Sequence, residues 1–449
     1  MVSVSPFRGN NSSARRLRVL ILAESCNPEW SSVPLVGWSH YEALSRVADV
    51  HLVTRVRNRP ALDRCGLKEG QDYTAINTEF LFEPIARLVR WISGPNKGWA
   101  VVTALTIPSY LLFELIARKR FKKRLREFDL VHRITPVSPA VPSPMATWCR
   151  RAGVPFVLGP LNGGLPWPKE FPNLRKQEGE WLSGFRSLFR ALPGYRSTRN
   201  AAAAIIAGGK SAFREIPGIW KDKVVYIPEN AFDPSRFPVP THRRSAQDYQ
   251  GRPLRAIYLG RLVPYKGCDM LLEAAADLLR QGRMTMTVVG SGPESKRIRN
   301  LIARLDIGHA VECTGELPHR QVAEYLRRAD ILTFPSVHEF GGAVVLEAMA
   351  MGVVPVISDY GGPAELASPH CAFLVPLQER DAYIQAFRDV LHTIASDPAR
   401  LLPLAENGRQ RADKLFTWPQ KAEQILAVYR WVLGQETTRP DWGIPFKDD

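Results

Sequence analysis

Cysteine is scarce and scattered: Cys26, Cys65, Cys149, Cys268, Cys313 and Cys371 stand far apart, with no C-x-x-C pair. That spacing excludes a dense disulfide scaffold and a Cys-based zinc module, and it suits a reducing, cytoplasmic compartment. No internal repeat of about 20–50 residues is present, which argues against a solenoid or a propeller. No secretory leader is expected. Leu17–Ala23 is short, carries Arg18 and runs into Glu24 without a cleavage site, so it reads as a buried strand. Trp99–Ala117 is largely apolar, but Thr103, Thr106, Pro108, Ser109 and Glu114 interrupt it. Those interruptions leave too short an apolar span to favour a membrane-crossing helix.

What is present is the composition of a folded chain: 45% hydrophobic, 23% charged and 9% aromatic over 449 residues. Disordered, collagen-like and multi-span membrane classes are excluded, and the length calls for about two or three domains. The formal charge of +16 is unevenly placed. Residues 1–230 hold 34 Lys and Arg against 18 Asp and Glu, whereas residues 231–449 hold 26 of each.

Short apolar runs alternate with amphipathic segments, the signature of βαβ units around parallel sheets. Strands are expected at Arg18–Ala23, Val50–Thr54, Leu130–Thr135, Phe156–Gly159, Ala204–Ala207 and Val224–Ile227. A second set is expected at Arg255–Leu259, Met284–Val289, Val311–Thr314, Ile331–Phe334, Val354–Ile357 and Ala372–Val375. Met270–Arg280 and Ser295–Leu305 read as helices between them. The Pro-rich, polar stretch Pro228–Pro253 reads as a linker, giving domains at 1–230 and 231–418. Pro419 then breaks the chain before a last apolar-periodic helix within 419–449.

Three strand-to-helix junctions in the second half carry chemistry. Gly260-Arg-Leu-Val-Pro-Tyr-Lys266-Gly267 places Arg261 and Lys266 beyond a strand's carboxyl end, where ligands of open α/β sheets bind. Two such cations would hold a diphosphate; alone they would equally be a solvated basic turn. Gly290-Ser-Gly-Pro293 is a tight strand-to-helix turn with Pro293 suited to a first helical position, and it lacks the third glycine of a dinucleotide motif. Pro335-Ser-Val-His-Glu339-Phe-Gly341-Gly342-Ala343 leads into a helix whose free N–H groups favour an anion. Glu347 lies about five residues into that helix, among apolar neighbours that would bury it. Glu339 and Glu347 flanking a phosphate-binding helix start suit recognition of ribose or sugar hydroxyls.

The order G-R-L-x-x-x-K-G, then G-x-G-P, then P-S-x-x-E with a second Glu eight residues on, resembles family 4 of the retaining nucleotide-sugar glycosyltransferases. The likeness is strongest over residues 224–377. It implies an α/β, GT-B architecture of two Rossmann-like doubly wound domains facing across a cleft. It further implies an acceptor-side first domain, a donor domain at 231–418, and a last helix crossing back onto the first domain. By this resemblance Arg261 and Lys266 neutralise the donor diphosphate, and Glu347 holds the ribose. Glu339 contacts the transferred sugar, with Gly341, Gly342 and Ala343 near phosphate. A nucleotide-diphosphate sugar is the implied co-substrate, with no cofactor. The sequence contains no D-x-D triplet, so metal-independent transfer is the expectation and no metal ligands are nominated.

The first half departs from the family pattern. Only Gly37 stands where members carry a glycine pair, and Asp129-Leu-Val-His132-Arg-Ile134 keeps one His of D-x-x-H-x-H. His132, at a strand end, would orient sugar or acceptor, or else be a hydrogen-bonded structural residue. Asn162, Gly163 and Gly164 follow another strand and would line the acceptor side, or simply form a sharp loop. Arg118–Arg126 has seven basic residues in nine, and Phe121, Leu125 and Phe128 would form an apolar stripe on a helix. Eight of the eleven Trp residues also fall in this half. Together they suit peripheral contact with an anionic membrane at the inner face, the alternative being a buried helix with a solvated basic end. No specific nucleic acid is expected, for want of a recognised motif. The acceptor so implied is a lipid-linked saccharide or surface polysaccharide precursor. A soluble small acceptor, or a non-catalytic carbohydrate- or phosphate-binding protein, is the alternative.

Overall fold

The computed structural model describes residues 15–30, 32–84, 87, 99–177 and 190–444. Two sheets organise them, and every described strand pair is parallel. The first contains β1 (Arg18–Ala23), β2 (Asp49–Arg55), β3 (Tyr73–Ile76), β4 (Leu130–Thr135), β5 (Phe156–Leu161), β6 (Ala204–Ala207) and β7 (Val224–Tyr226), in the order 3-2-1-4-5-6-7. The second contains β8 (Leu254–Leu259), β9 (Met284–Val289), β10 (Val311–Gly315), β11 (Ile331–Phe334), β12 (Val354–Ser358) and β13 (Phe373–Val375), in the order 10-9-8-11-12-13. Both orders reverse beside the first strand of the domain, the crevice where open α/β sheets bind ligands. This is the expected pair of Rossmann-like domains.

The period-two alternation of strands explains why each sheet is covered on both faces. Leu20 and Leu22 of β1 join one apolar cluster while Val19, Ile21 and Ala23 join another. In β8, Leu254, Ala256 and Tyr258 pack on one side and Ile257 and Leu259 on the other. Crossover helices must therefore bury both faces. β3 escaped the sequence reading because only four residues, between Asp72 and Asn77, form it. Pro293 is also misplaced by that reading: it sits in a turn, and the Ser295–Arg304 helix begins two residues later with Glu294 as its cap.

The chain passes between domains twice, side by side. Phe232 N–H donates to the Phe416 carbonyl at 2.9 Å, and Trp418 N–H donates to the Phe232 carbonyl at 3.1 Å. Thr417 then caps the Trp418–Val432 helix, accepting from Gln420 N–H at 3.2 Å, and Pro419 occupies the first turn, where no intrahelical donor is lost. Ile425, Leu426, Val428 and Tyr429 of this helix are buried in the apolar cluster of the first domain. Lys421 is buried as well, its ammonium donating to the Pro228 carbonyl.

His132 belongs to this docking and not to a reaction site. It is the third residue of β4 and fully buried. The Tyr429 hydroxyl donates to its Nδ1 at 2.6 Å, and its Nε2–H donates to the Gly159 carbonyl at 2.7 Å. Burial pushes the imidazole down to about 3, so it is neutral, with neither nitrogen left for a substrate. The expectation of an orienting role on sugar or acceptor is corrected accordingly.

The basic run also folds differently from expectation. The Trp99–Phe121 helix stops at Phe121, and a turn and a short 3-10 segment, Leu125–Glu127, follow. Phe121, Leu125 and Phe128 all point into the core and are at most 8% exposed, so no apolar stripe faces outward. Glu114 of that helix is buried but satisfied, accepting from Tyr110, Ser143 and the Met145 N–H. No helix among the described residues is long and apolar enough to cross a membrane. The seven cations of Arg118–Arg126 remain exposed, and they precede β4, at the amino ends of the strands. That is the pole opposite the cleft.

Removing the Tyr429 hydroxyl would leave the buried His132 Nδ1 without a donor. Tyr429→Phe is expected to lower unfolding stability by about 1–3 kcal/mol. Urea titration reads this, and an unchanged midpoint would contradict the docking role.

Candidate functional site

Four loops at the carboxyl ends of the second sheet and the start of one first-domain helix enclose a cleft of about 770 Å³. Arg261 follows β8 and is exposed on its wall. The loop after β9 lies directly against it, because Gly290 and Gly292 have no side chains. A Cβ at either would collide with the carbonyl of Gly260 or Leu262. The weak glycine motif is thus a close-packing device that shapes the cleft floor.

The Ala343–Ala350 helix opens on the same space. Gly342 turns into it with φ +77°, a conformation suited to glycine, and no side chain caps its first turn. Ala343, Val344 and Glu347 line the cleft, Glu347 one turn along on the Ala343 face. Glu347 is 6% exposed, as its apolar neighbours foretold. A helix start with free N–H groups, a guanidinium and a carboxylate one turn deeper can together accept an anion with a hydroxyl-bearing group beyond it.

Lys266 and Glu339 do not line this cleft; they pair with each other beside it. Lys266 ends a 3-10 turn, Pro264–Lys266, and its ammonium contacts the Glu339 carboxylate. The Glu339 loop is held by Gly362 N–H, which donates to the Glu339 carbonyl at 2.9 Å. Burial pushes Lys266 down to about 7. A diphosphate reaching Lys266 must therefore compete with Glu339 for its charge.

Ser32, Leu35, Trp38 and Glu42 of the first domain form the facing wall, together with Asn230 from the crossing and Trp418 from the returning segment. None of these was nominated from sequence, and none carries a local motif that would have marked it. Gly37, which was nominated, is turned away: it lets the Val33–Val47 helix pack on the backbone after β1, where a Cβ would strike the Ser25 carbonyl. Asn162 is likewise committed internally, with its amide donating to buried Glu229 and its Oδ1 accepting from Gly163 N–H at 2.7 Å. Burial raises the Glu229 carboxyl to about 7. Gly164 lines a second recess of about 350 Å³ between the domains, with Lys210, Arg214, Tyr360 and Glu365; Gly163 lines neither space. Among the described residues no cluster of His, Cys, Asp and Glu could hold a metal ion.

Residues 241–411 match the family described as "Glycosyl transferases group 1". A D-inositol 3-phosphate glycosyltransferase of Streptomyces bingchenggensis is 30% identical over 209 residues, which is 43% of this chain and 45% of the relative. An MMP alpha-(1->4)-mannosyltransferase of Mycolicibacterium hassiacum is 32% identical over 175 residues, 38% of this chain and 42% of the relative. The chain thus spans less than half the length of these two curated relatives. Among solved structures, sucrose-phosphate synthase from Thermosynechococcus elongatus superposes with TM-score 0.62 at 18% identity, covering 94% of this chain and 100% of that one. Anabaena HepE in complex with UDP and glucose superposes with TM-score 0.56 at 17% identity, covering 92% and 98%. These last two are likenesses of fold.

The shifted Lys266 sets a pH dependence. Only its ammonium form attracts an anion, so affinity for inorganic diphosphate should fall as pH rises through about 7. A bound anion beside Lys266 raises its pKa, so binding near neutral pH takes up protons. Isothermal titration in buffers of different ionisation heat measures that uptake. It should be smaller in Lys266→Met, and equal uptake in both proteins would contradict the assignment.

Proposed function

We propose, from the match of residues 241–411 to the glycosyl transferases group 1, that the protein transfers a sugar from a nucleotide-diphosphate sugar to a hydroxyl acceptor. The observation that carries the reading is the convergence of Arg261, the start of the Ala343–Ala350 helix and Glu347 on one interdomain cleft, with Lys266 and Glu339 paired beside it. Glu347 takes the ribose hydroxyls and Glu339 the transferred sugar. Arg261, Lys266 and the N–H groups at Ala343 take the diphosphate. The UDP-bound HepE structure supports a nucleoside diphosphate as the group held in such a fold.

The chemistry follows from the leaving group. Breaking the anomeric bond puts positive charge on the sugar ring and negative charge on the departing diphosphate. Arg261, Lys266 and the helix start meet that negative charge as it develops, in the manner of a preorganised oxyanion site. When the diphosphate draws the Lys266 ammonium, Glu339 is released from its ion pair and becomes free to accept from sugar hydroxyls. Retention, with attack on the face the diphosphate leaves, follows the family resemblance. No side chain is nominated as a covalent nucleophile, and transfer proceeds without a metal.

The acceptor is proposed to be a lipid-linked saccharide or surface polysaccharide precursor, with the protein peripheral on an anionic membrane. With the apolar stripe buried, charge alone supports that partner. Two of the exposed cations of Arg118–Arg126, Arg118 and Lys122, line a recess of about 200 Å³ together with Trp148 and Arg151. The names of the two relatives favour the second reading, a small soluble acceptor.

Lys266→Ala is expected to lose on the order of 10²–10³ in kcat, by the scale of an oxyanion donor. Turnover across a panel of nucleotide sugars, with mass detection of products from lipid and soluble glycan fractions, measures it. Near-wild-type turnover would sink the diphosphate role, and tight donor binding without any turnover would favour a binding protein. For the membrane partner, wild type should float with anionic liposomes, and raised salt or neutralising Lys122, Lys123 and Arg124 should abolish it. Equal, negligible flotation of both proteins favours the soluble acceptor.

A further inference from the structure

The residues that flank the Lys266–Glu339 pair in sequence pack on the other domain. Tyr265 precedes Lys266, and His338 and Phe340 bracket Glu339. The His338 ring lies parallel to the indole of Trp167, which follows β5 in the first domain, with centroids 4.1 Å apart and planes within 7°. Its Nε2–H donates to the Leu165 carbonyl at 3.2 Å, which fixes the ring's orientation in that stack. Tyr265 meets the same indole edge-on at 6.2 Å, and Phe340 meets His338 edge-on at 5.0 Å.

The same first-domain loop holds the Glu339 turn from a second side. The Tyr360 hydroxyl donates to the Pro166 carbonyl, and Leu165 fills the space above Gly361. Next to it, Gly362 is the residue whose N–H supports the Glu339 carbonyl. Together Leu165, Pro166 and Trp167 touch the segment that carries Glu339 and the 360–362 turn that supports it, and Trp167 also reaches Tyr265, next to Lys266.

We propose that Trp167 is a positioning residue that clamps His338 and Tyr265 and thereby places Glu339 and Lys266 against the cleft. The two halves of the clamp belong to different domains, so it acts only while the domains are closed. Its chemistry is planar stacking, not hydrogen bonding to substrate, and an aromatic ring of another kind at 167 should serve in part. The kinetic arm of the test rests on the transferase reading; the structural arm does not.

The variants are Trp167→Ala, Trp167→Phe and His338→Ala in the full chain. Trp167→Ala should cut kcat by about 10- to 100-fold, the scale of a small misplacement of reacting groups. Its KM for the donor should change less, and Trp167→Phe should recover most of the loss. Without ligand, the radius of gyration from small-angle scattering should be larger in Trp167→Ala and in His338→Ala than in wild type. Trp167→Ala/His338→Ala should be no more open than either single variant. A Trp167→Ala protein with kcat within twofold of wild type, or Trp167→Phe as impaired as Trp167→Ala, overturns the proposal. If wild type turns over no donor, the transferase reading fails, and scattering still decides the clamp: unchanged dimensions in both alanine variants overturn it. Should Trp167→Ala not fold, Trp167→Phe and His338→Ala carry the same readouts.

Discussion

Phe232 and Thr417 bridge one another where the chain leaves the first domain and where it comes back. The two strands of crossing chain constrain each other, and the Trp418–Val432 helix fastens the returning one by burying Val428 and Tyr429 in the first domain's core. Asn230 and Trp418, which stand at these crossings, line the cleft itself. The space between the sheets is therefore set by the same contacts that hold the domains together. Loosening the last helix would change the site's shape without touching a residue on the donor wall.

Within that frame the electrostatics are economical. Arg261 and an uncapped helix start supply positive potential to the cleft, while Lys266 is held in reserve by Glu339 at its margin. Desolvation drives Lys266 towards neutrality and an anion drives it back, so the pair responds to what enters. Glu229 and Lys421 are also buried at the crossing, held by Asn162 and the Pro228 carbonyl, and burial shifts one up and the other down. Each of these ions lies beside a chain segment on which the cleft depends.

The strongly basic first half has a different meaning once its cations are located. Arg118–Arg126 lies at the amino ends of the strands, and ligands of parallel sheets bind at the carboxyl ends. Seven of that half's cations thus belong to an outer pole, away from the cleft. Its apolar partners Phe121, Leu125 and Phe128, spaced as if for a helix, turn inward because the helix ends at Phe121 and the chain changes direction. Periodicity marked the apolar positions correctly and misjudged the surface they would cover.

The two parallel sheets, the glycine turns between strand and helix, and the burial of Glu347 one turn into its helix were legible in the order of residues. These depend on interactions a few residues apart: strand alternation, positive φ at Gly342 and helical spacing. Tertiary structure alone decided the fates of His132, Asn162 and Gly37, because each depends on a partner brought close from a separate element: Tyr429, Glu229 and the Ser25 carbonyl. It also decided that Trp167 stacks on His338, 171 positions later. Local spacing shows where a side chain can point, but only the packed fold supplies what it meets there.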